Sequence, residues 1–163
     1  MSVIFTFKPN RLIDHPTGGN IFGIIPEIQR LGLGQANIYL RAGVHRMAVG
    51  QPPSGFGVRH IWEGKQQELK KRGCSSADDV PVFVSQLIVI GTEIYHDPAH
   101  PRADMKRITL LRTTDGTLLL EPRSGDRNLG FHYQVITWTP RPHPKGIQVG
   151  QIDVDWAQQK RRP

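Results

Sequence analysis

At Glu93 the period of the apolar residues changes, and that change constrains the fold more than any other feature of the chain. Before it, Val58, Ile61, Trp62 and Leu69 fall near one face of a helix that Gly73 stops, with Lys65, Lys70 and Lys71 mostly off that face. Val80, Phe83, Val84, Leu87 and Ile88 repeat at the same spacing in a second helix, with Asp78 or a neighbour as cap, Pro81 in the first turn and Gly91 as stop. After it come strand signals. "EIYHD" is short and β-rich, and "RITLLRTTDGTLLLEPR" places Asp115-Gly116 between two β-rich runs, which suits a hairpin with a two-residue type I′ turn. "GFHYQVITWTP" alternates, with Phe131, Tyr133, Val135 and Thr137 on one face and His132, Gln134, Ile136 and Trp138 on the other, and "GIQVGQIDV" holds a further short strand.

Helices first and antiparallel strands afterwards are the pattern of an α+β domain. The expectation is two N-terminal helices followed by an antiparallel sheet of about four strands. Residues 1–36 precede them as an irregular or β segment, because Pro, Gly and Asn interrupt the apolar pieces too often for a long helix. "ANIYLRAGVHRMAVG" is read as a strand or hairpin ending in the loop "QPPSG". The core spans 37–152, and a basic tail, frayed and solvated, occupies 153–163; together these make one domain, a common arrangement for a chain of 163 residues.

Composition narrows the function. No apolar run is long enough to span a bilayer, and "MSVIFTFKPNRL" lacks the basic and apolar regions of a secretion signal, so the expected site of action is the cytoplasm. With Cys74 as the one cysteine, neither an internal disulfide nor a cysteine-rich zinc site is expected. The seven histidines form no HExxH, and His96 and His100 are separated by "DPA" and followed by Pro101, so no metal and no cofactor is expected. The formal charge of +7 favours an anionic partner: nucleic acid first, an acidic protein as the rival.

His60 stands in the first turns of the first predicted helix, beside the glycines of "GFGVRH", where backbone donors can also hold a phosphate. Taken alone it is core filler or a catalytic acid or base. Arg59, Lys65, Lys70, Lys71 and Arg72 belong to the same helix; Arg107 and Arg112 share a strand whose hairpin mate ends at Arg123. With the Asp-Gly turn as drawn, Arg112 shares a face with Glu121, which leaves both a structural ion pair and an RNA-facing cation open. Tyr133 and Thr137 project from one face of their strand with hydroxyls suited to a phosphate or a ribose 2′-OH, although both are also common strand formers.

Together "GFGVRHIWE", "SADDVPVFVSQLIVIGTEIY", the "DG" hairpin and "YQVITWTP" resemble the barnase/EndoU/colicin/RelE-like ribonucleases, in particular their phage-associated and toxin-terminal branch. The resemblance covers roughly Asn37 to Pro140. It implies metal-independent RNA cleavage, in which the ribose 2′-OH attacks the adjacent phosphorus to give a 2′,3′-cyclic phosphate and a free 5′-OH. It also implies the roles: His60 as acid or base, Arg112 as phosphate clamp, and Thr137 with Tyr133 orienting the scissile phosphate; Arg59, Arg107 and Arg123 are expected, from their charge, to bind substrate. Where many relatives carry a second histidine five residues after the first, "HIWEGK" has Lys65, a phosphate-binding group rather than a base at neutral pH, and Glu63 becomes the candidate base. The partners implied are RNA, tRNA included, and an acidic immunity or antitoxin protein, with the chain acting as a toxin or mobile-element nuclease in the cytoplasm or delivered into that of a target cell. The alternative is a noncatalytic RNA-binding or protein-interaction module of the same fold.

Overall fold

The computed structural model describes residues 2–113 and 115–156. Along the chain run β1 (Ile21–Ile25), β2 (Ala36–Tyr39), β3 (Val44–Arg46), β4 (Ser54–Phe56), α1 (Gly57–Lys71), α2 (Val80–Leu87), β5 (Glu93–His96), β6 (Ile108–Leu111), β7 (Thr117–Arg123), β8 (His132–Thr139) and β9 (Ile147–Gln151). Seven strands form one sheet in the order β1-β2-β8-β7-β6-β5-β9, and β3 with β4 makes a separate two-stranded ribbon. Within the sheet β2 and β8 run parallel, while the other neighbours are antiparallel.

This corrects the expected architecture. Four strands precede the helices, and the sheet is mixed and larger than four strands. The reason is long-range pairing: β2 sets Ile38 and Tyr39 beside Tyr133 and Gln134 of β8, and β1 then adds to the free edge of β2. The run "IFGII" gave no alternation to read because Phe22 to Ile25 are all buried, and a short continuous apolar run carries no period. Residues 157–163, most of the predicted basic tail, lie outside the described residues.

Both helices bury the stripes their spacing requires. Val58, Ile61, Trp62 and Leu69 of α1 are buried against the sheet, and α1 packs on β8 and β3. From α2, Val80, Phe83, Val84 and Leu87 enter the same core, with Phe83 edge-on to Trp138 at 5.1 Å between ring centroids. Ser76 and Asp79 form a reciprocal capping box on the short 3-10 turn that leads into α2. Asp78 does something else: its carboxylate accepts from Ser2 Oγ (2.7 Å) and from the Val3 and Ile4 amides (3.1 Å each), which ties the N-terminal segment to the helix entry. Among the described residues no helix is long and apolar enough to cross a membrane.

The start of α1 is capped by main chain rather than by a side chain. Val58 N–H donates to Arg41 O (3.0 Å) and Arg59 N–H to Ala42 O (2.9 Å), so two of the helix's unpaired donors are satisfied by the chain just after β2. So close an approach excludes side chains. A Cβ at Gly57, where φ is +78°, would lie 2.4 Å from Arg41 O, and one at Gly43, where φ is +80°, would lie 1.8 Å from Phe56 O. Gly57→Ala should therefore cost about 2 kcal/mol or more, combining left-handed strain with the clash. That corresponds to a fall of roughly 4–8 °C in Tm by thermal circular dichroism. Gly64, on the same helix with open space around it, is the control, and Gly64→Ala should leave Tm unchanged or raise it.

Candidate functional site

The sheet has one covered face and one open face, and the boundary between them turns on a bulge. Leu119 pairs with Thr137 and Leu120 with Val135, so Ile136 is the extra residue of β8. Before it, Tyr133 and Val135 point into the core; after it, Trp138 does, all three being fully buried. The bulge thus reverses the alternation and turns Thr137 to the open face. This corrects the expectation that Tyr133 and Thr137 share a face. Tyr133 lies among core residues, where burial pushes its hydroxyl up to about 12, and it does not reach the site.

Over the open face the β3–β4 ribbon and the first turn of α1 wall a cleft of about 400 Å³. Arg46, Gln51, Ser54, His60, Arg102, Arg107, Leu119 and Thr137 are among its lining residues. Gly43 and Gly57 hold the ribbon against the helix, and this brings His45 of β3 beside His60. Their Nδ1 atoms are 2.9 Å apart, with ring centroids at 5.1 Å and planes tilted by 31°. A contact between two ring nitrogens requires that one carry the hydrogen and the other accept it. It also commits His60 Nδ1, leaving Nε2 as the nitrogen with which His60 can meet a substrate. Burial first, and then the neighbouring His45, hold the His60 imidazole below its ordinary range, which favours its neutral form.

Opposite the histidines the electrostatics are positive and ordered. Glu121, 5% exposed, accepts Arg107 through Oε2 (2.9 Å from both Nε and Nη2) and Arg123 Nη2 through Oε1 (2.9 Å). One buried carboxylate thereby holds two guanidiniums and leaves the cluster with a net positive charge. Arg107 lines the cleft while so anchored. Arg46 and Arg102, both exposed, have no ion-pair partner among the described residues and so remain available to an anion.

The other expected site residues are elsewhere. Arg112 donates from Nη1 to Gln86 O (2.6 Å) in the last turn of α2, where a cation complements the helix dipole, so it serves the helix end rather than the cleft. The expected shared face with Glu121 is not formed, because β6 ends at Leu111, opposite Thr117; the connection is longer than the two-residue turn, and Arg107 becomes the cross-strand neighbour of Glu121. Arg59 spends its guanidinium on the carbonyls of Gly43 (3.0 Å), Ile4 (3.0 Å) and Phe7 and clamps the N-terminal segment. Glu63 is exposed and Lys65 marks a kink in α1 with non-helical φ/ψ; neither lines the cleft. Arg123 borders a separate polar hollow with Asn10, Arg41, Asp126 and Gln134.

No protein-family model, curated protein or solved structure matches the chain. The resemblance to the ribonuclease superfamily therefore rests on the quoted motifs alone, and what the site does has to be argued from its residues. His45, Arg46 and Arg102 are the members that the sequence reading did not include. The available signal for His45 was the strand or hairpin that leads from "AGVHR" through "QPPSG" back to the glycines before His60, since such a return lays the residue two after Gly43 against the helix's first turn.

The histidine contact has a measurable consequence. Because His60 is depressed in the folded chain, the unfolded chain binds the extra proton as pH falls below about 6.5, and stability declines from there down through the folded pKa. In an NMR titration the His60 ring should titrate below that ordinary value. His45→Ala should move it upward without restoring it fully, since burial remains, and an unmoved His60 titration would mean that the two rings are not coupled.

Proposed function

We propose that the protein is a metal-independent endoribonuclease that cleaves by 2′-OH transesterification. The observation that carries this reading is a cleft in which a histidine, backed by a second histidine, lies with Thr137 and three arginines. His60 Nε2 accepts the proton of the 2′-OH as that oxygen attacks phosphorus. The bond to the 5′-oxygen breaks, leaving a 2′,3′-cyclic phosphate, and the departing oxygen takes a proton from water at the open mouth of the cleft. His60 then returns its proton to solvent. His45 acts through His60 as a positioning residue: with His45 neutral and His60 Nδ1–H donating to His45 Nδ1, the ring is fixed in the tautomer whose Nε2 accepts. Arg107, Arg46 and Arg102 supply the charge that the phosphorane requires, and the Thr137 hydroxyl donates to a phosphate oxygen. The second histidine beside His60 comes from β3, 15 residues before it, and orients the ring rather than taking the place of the histidine that Lys65 replaces.

His60→Ala should keep its circular dichroism and its affinity for RNA while cleavage falls about 10²–10⁴-fold, the usual contribution of a general base. Loss of Tm with unchanged activity in the folded fraction would instead make His60 a packing residue. Cleavage of a labelled RNA in EDTA should yield cyclic phosphate ends. The matching DNA, or RNA with 2′-methoxy groups, should bind but stay intact, because the internal nucleophile is absent or blocked. RNA that is bound and never cut would favour the noncatalytic module, and DNA cut at a comparable rate would sink the mechanism.

A further inference from the structure

The His60 cleft continues beyond the scissile position. Arg102, Arg107 and Leu119 line it and also line a smaller hollow of about 80 Å³ above Thr109. Asp97, His100 and Thr109 of that hollow in turn border a third, of about 210 Å³, which runs to the loop after β8. Thr137, Leu119 and Thr109 are lateral neighbours on β8, β7 and β6, so the track crosses two strand spacings, about 10 Å of open sheet, before it reaches the third hollow.

The far wall is the segment "PRPHPKG". Arg141, His143 and Lys145 are exposed there and alternate with Pro140, Pro142 and Pro144, whose fixed φ stiffens the loop. Gly146 pins the loop to β5: its φ is +93°, and a Cβ would lie 2.2 Å from His96 O. Thr117 and Thr139 border the hollow under the three basic side chains. Asp97 is the carboxylate on this path, and its Oδ1 already accepts from Ala99 N–H (3.0 Å).

We infer that this track binds the single-stranded RNA that flanks the scissile phosphate. The inference rests on the ribonuclease reading and adds to it a substrate class, an extended unpaired strand rather than a duplex or a small ester. Cations follow one another along a path continuous with the candidate cleft, threonine hydroxyls form part of its bed, and the imidazoles of His100 and His143 offer flat faces to unstacked bases. Contacts to base faces require the bases to be unstacked and unpaired, so the track suits a single strand rather than a duplex.

The test uses the full chain, the triple variant Arg141→Ala/His143→Ala/Lys145→Ala, and two substrates: an unstructured 12-nucleotide RNA and a dinucleoside monophosphate that spans only the scissile bond. For the 12-mer, kcat/KM should fall on the order of tenfold, mostly through KM, while cleavage of the dinucleotide stays unchanged. Binding of a fully 2′-methoxy 12-mer, read by fluorescence anisotropy, should weaken in parallel. Its salt dependence should flatten by about 1.4 in logarithmic slope if Arg141 and Lys145 each meet a phosphate. An unaltered 12-mer, or equal losses on both substrates, would overturn the track and leave the ribonuclease reading standing. If the wild-type chain cleaves neither substrate, the ribonuclease reading fails, and the anisotropy comparison alone decides whether the track binds RNA.

Discussion

Two backbone hydrogen bonds, from Val58 to Arg41 O and from Arg59 to Ala42 O, set the position of everything that follows. They join the N-terminus of α1 to the chain leaving β2, across a gap so narrow that Gly43 and Gly57 are the only compatible residues. The helix thereby lies against β8, and the β3–β4 ribbon emerges from the same point. His45 and His60 are each a few residues from this junction, on its two arms, and their contact follows from it. Arg59 strengthens the junction from outside by gathering carbonyls of Ile4, Phe7 and Gly43, while Asp78 takes the amides of Val3 and Ile4. A segment with little regular structure is thus held at its carbonyls by a cation and at its amides by an anion, the assignment that hydrogen-bond polarity demands.

The open face of the sheet is polar because the opposite face absorbs the apolar residues. Ile94, Ile108, Leu110, Leu118, Leu120, Tyr133, Val135 and Trp138 all enter the core. The residues between them, Arg107, Thr109, Glu121 and Gln134, form the polar bed on which the cleft sits. Glu121 organises that bed: buried between two arginines, it replaces their solvation with directed hydrogen bonds and holds Arg107 at the cleft edge. The bulge at Ile136 completes it, since without one extra residue Thr137 would face the core and Trp138 the solvent.

Local physics made part of this legible in the sequence. Helical spacing located both helices and their buried stripes from Val58 to Leu69 and Val80 to Leu87, and β-rich runs located the strands after Glu93. His60 was recognisable by its place at a glycine-flanked helix start. The sheet's true size was not: β1 is buried on every residue from Phe22 to Ile25 and shows no alternation, and the β2–β8 pairing joins residues 95 positions apart. Arg112 and Tyr133 were misplaced for related reasons, one by a turn longer than its Asp-Gly signal suggested and the other by a parity change that composition does not display.

Amphipathic period, turn residues and net charge are properties of neighbouring residues, so the sequence by itself determined the helices, the later strands, the basic character and the single most interesting histidine. Which side chains meet is a property of register and packing. Only the tertiary structure decided that His60 is partnered by His45, that Arg107 rather than Arg112 faces the cleft, and that Arg59 is a clamp. The physical reason is the same in each case: these contacts depend on one extra residue in β8, the register of one hairpin and two glycines that allow close backbone approach, and each selects a side chain's surroundings from parts of the chain that local patterning does not connect.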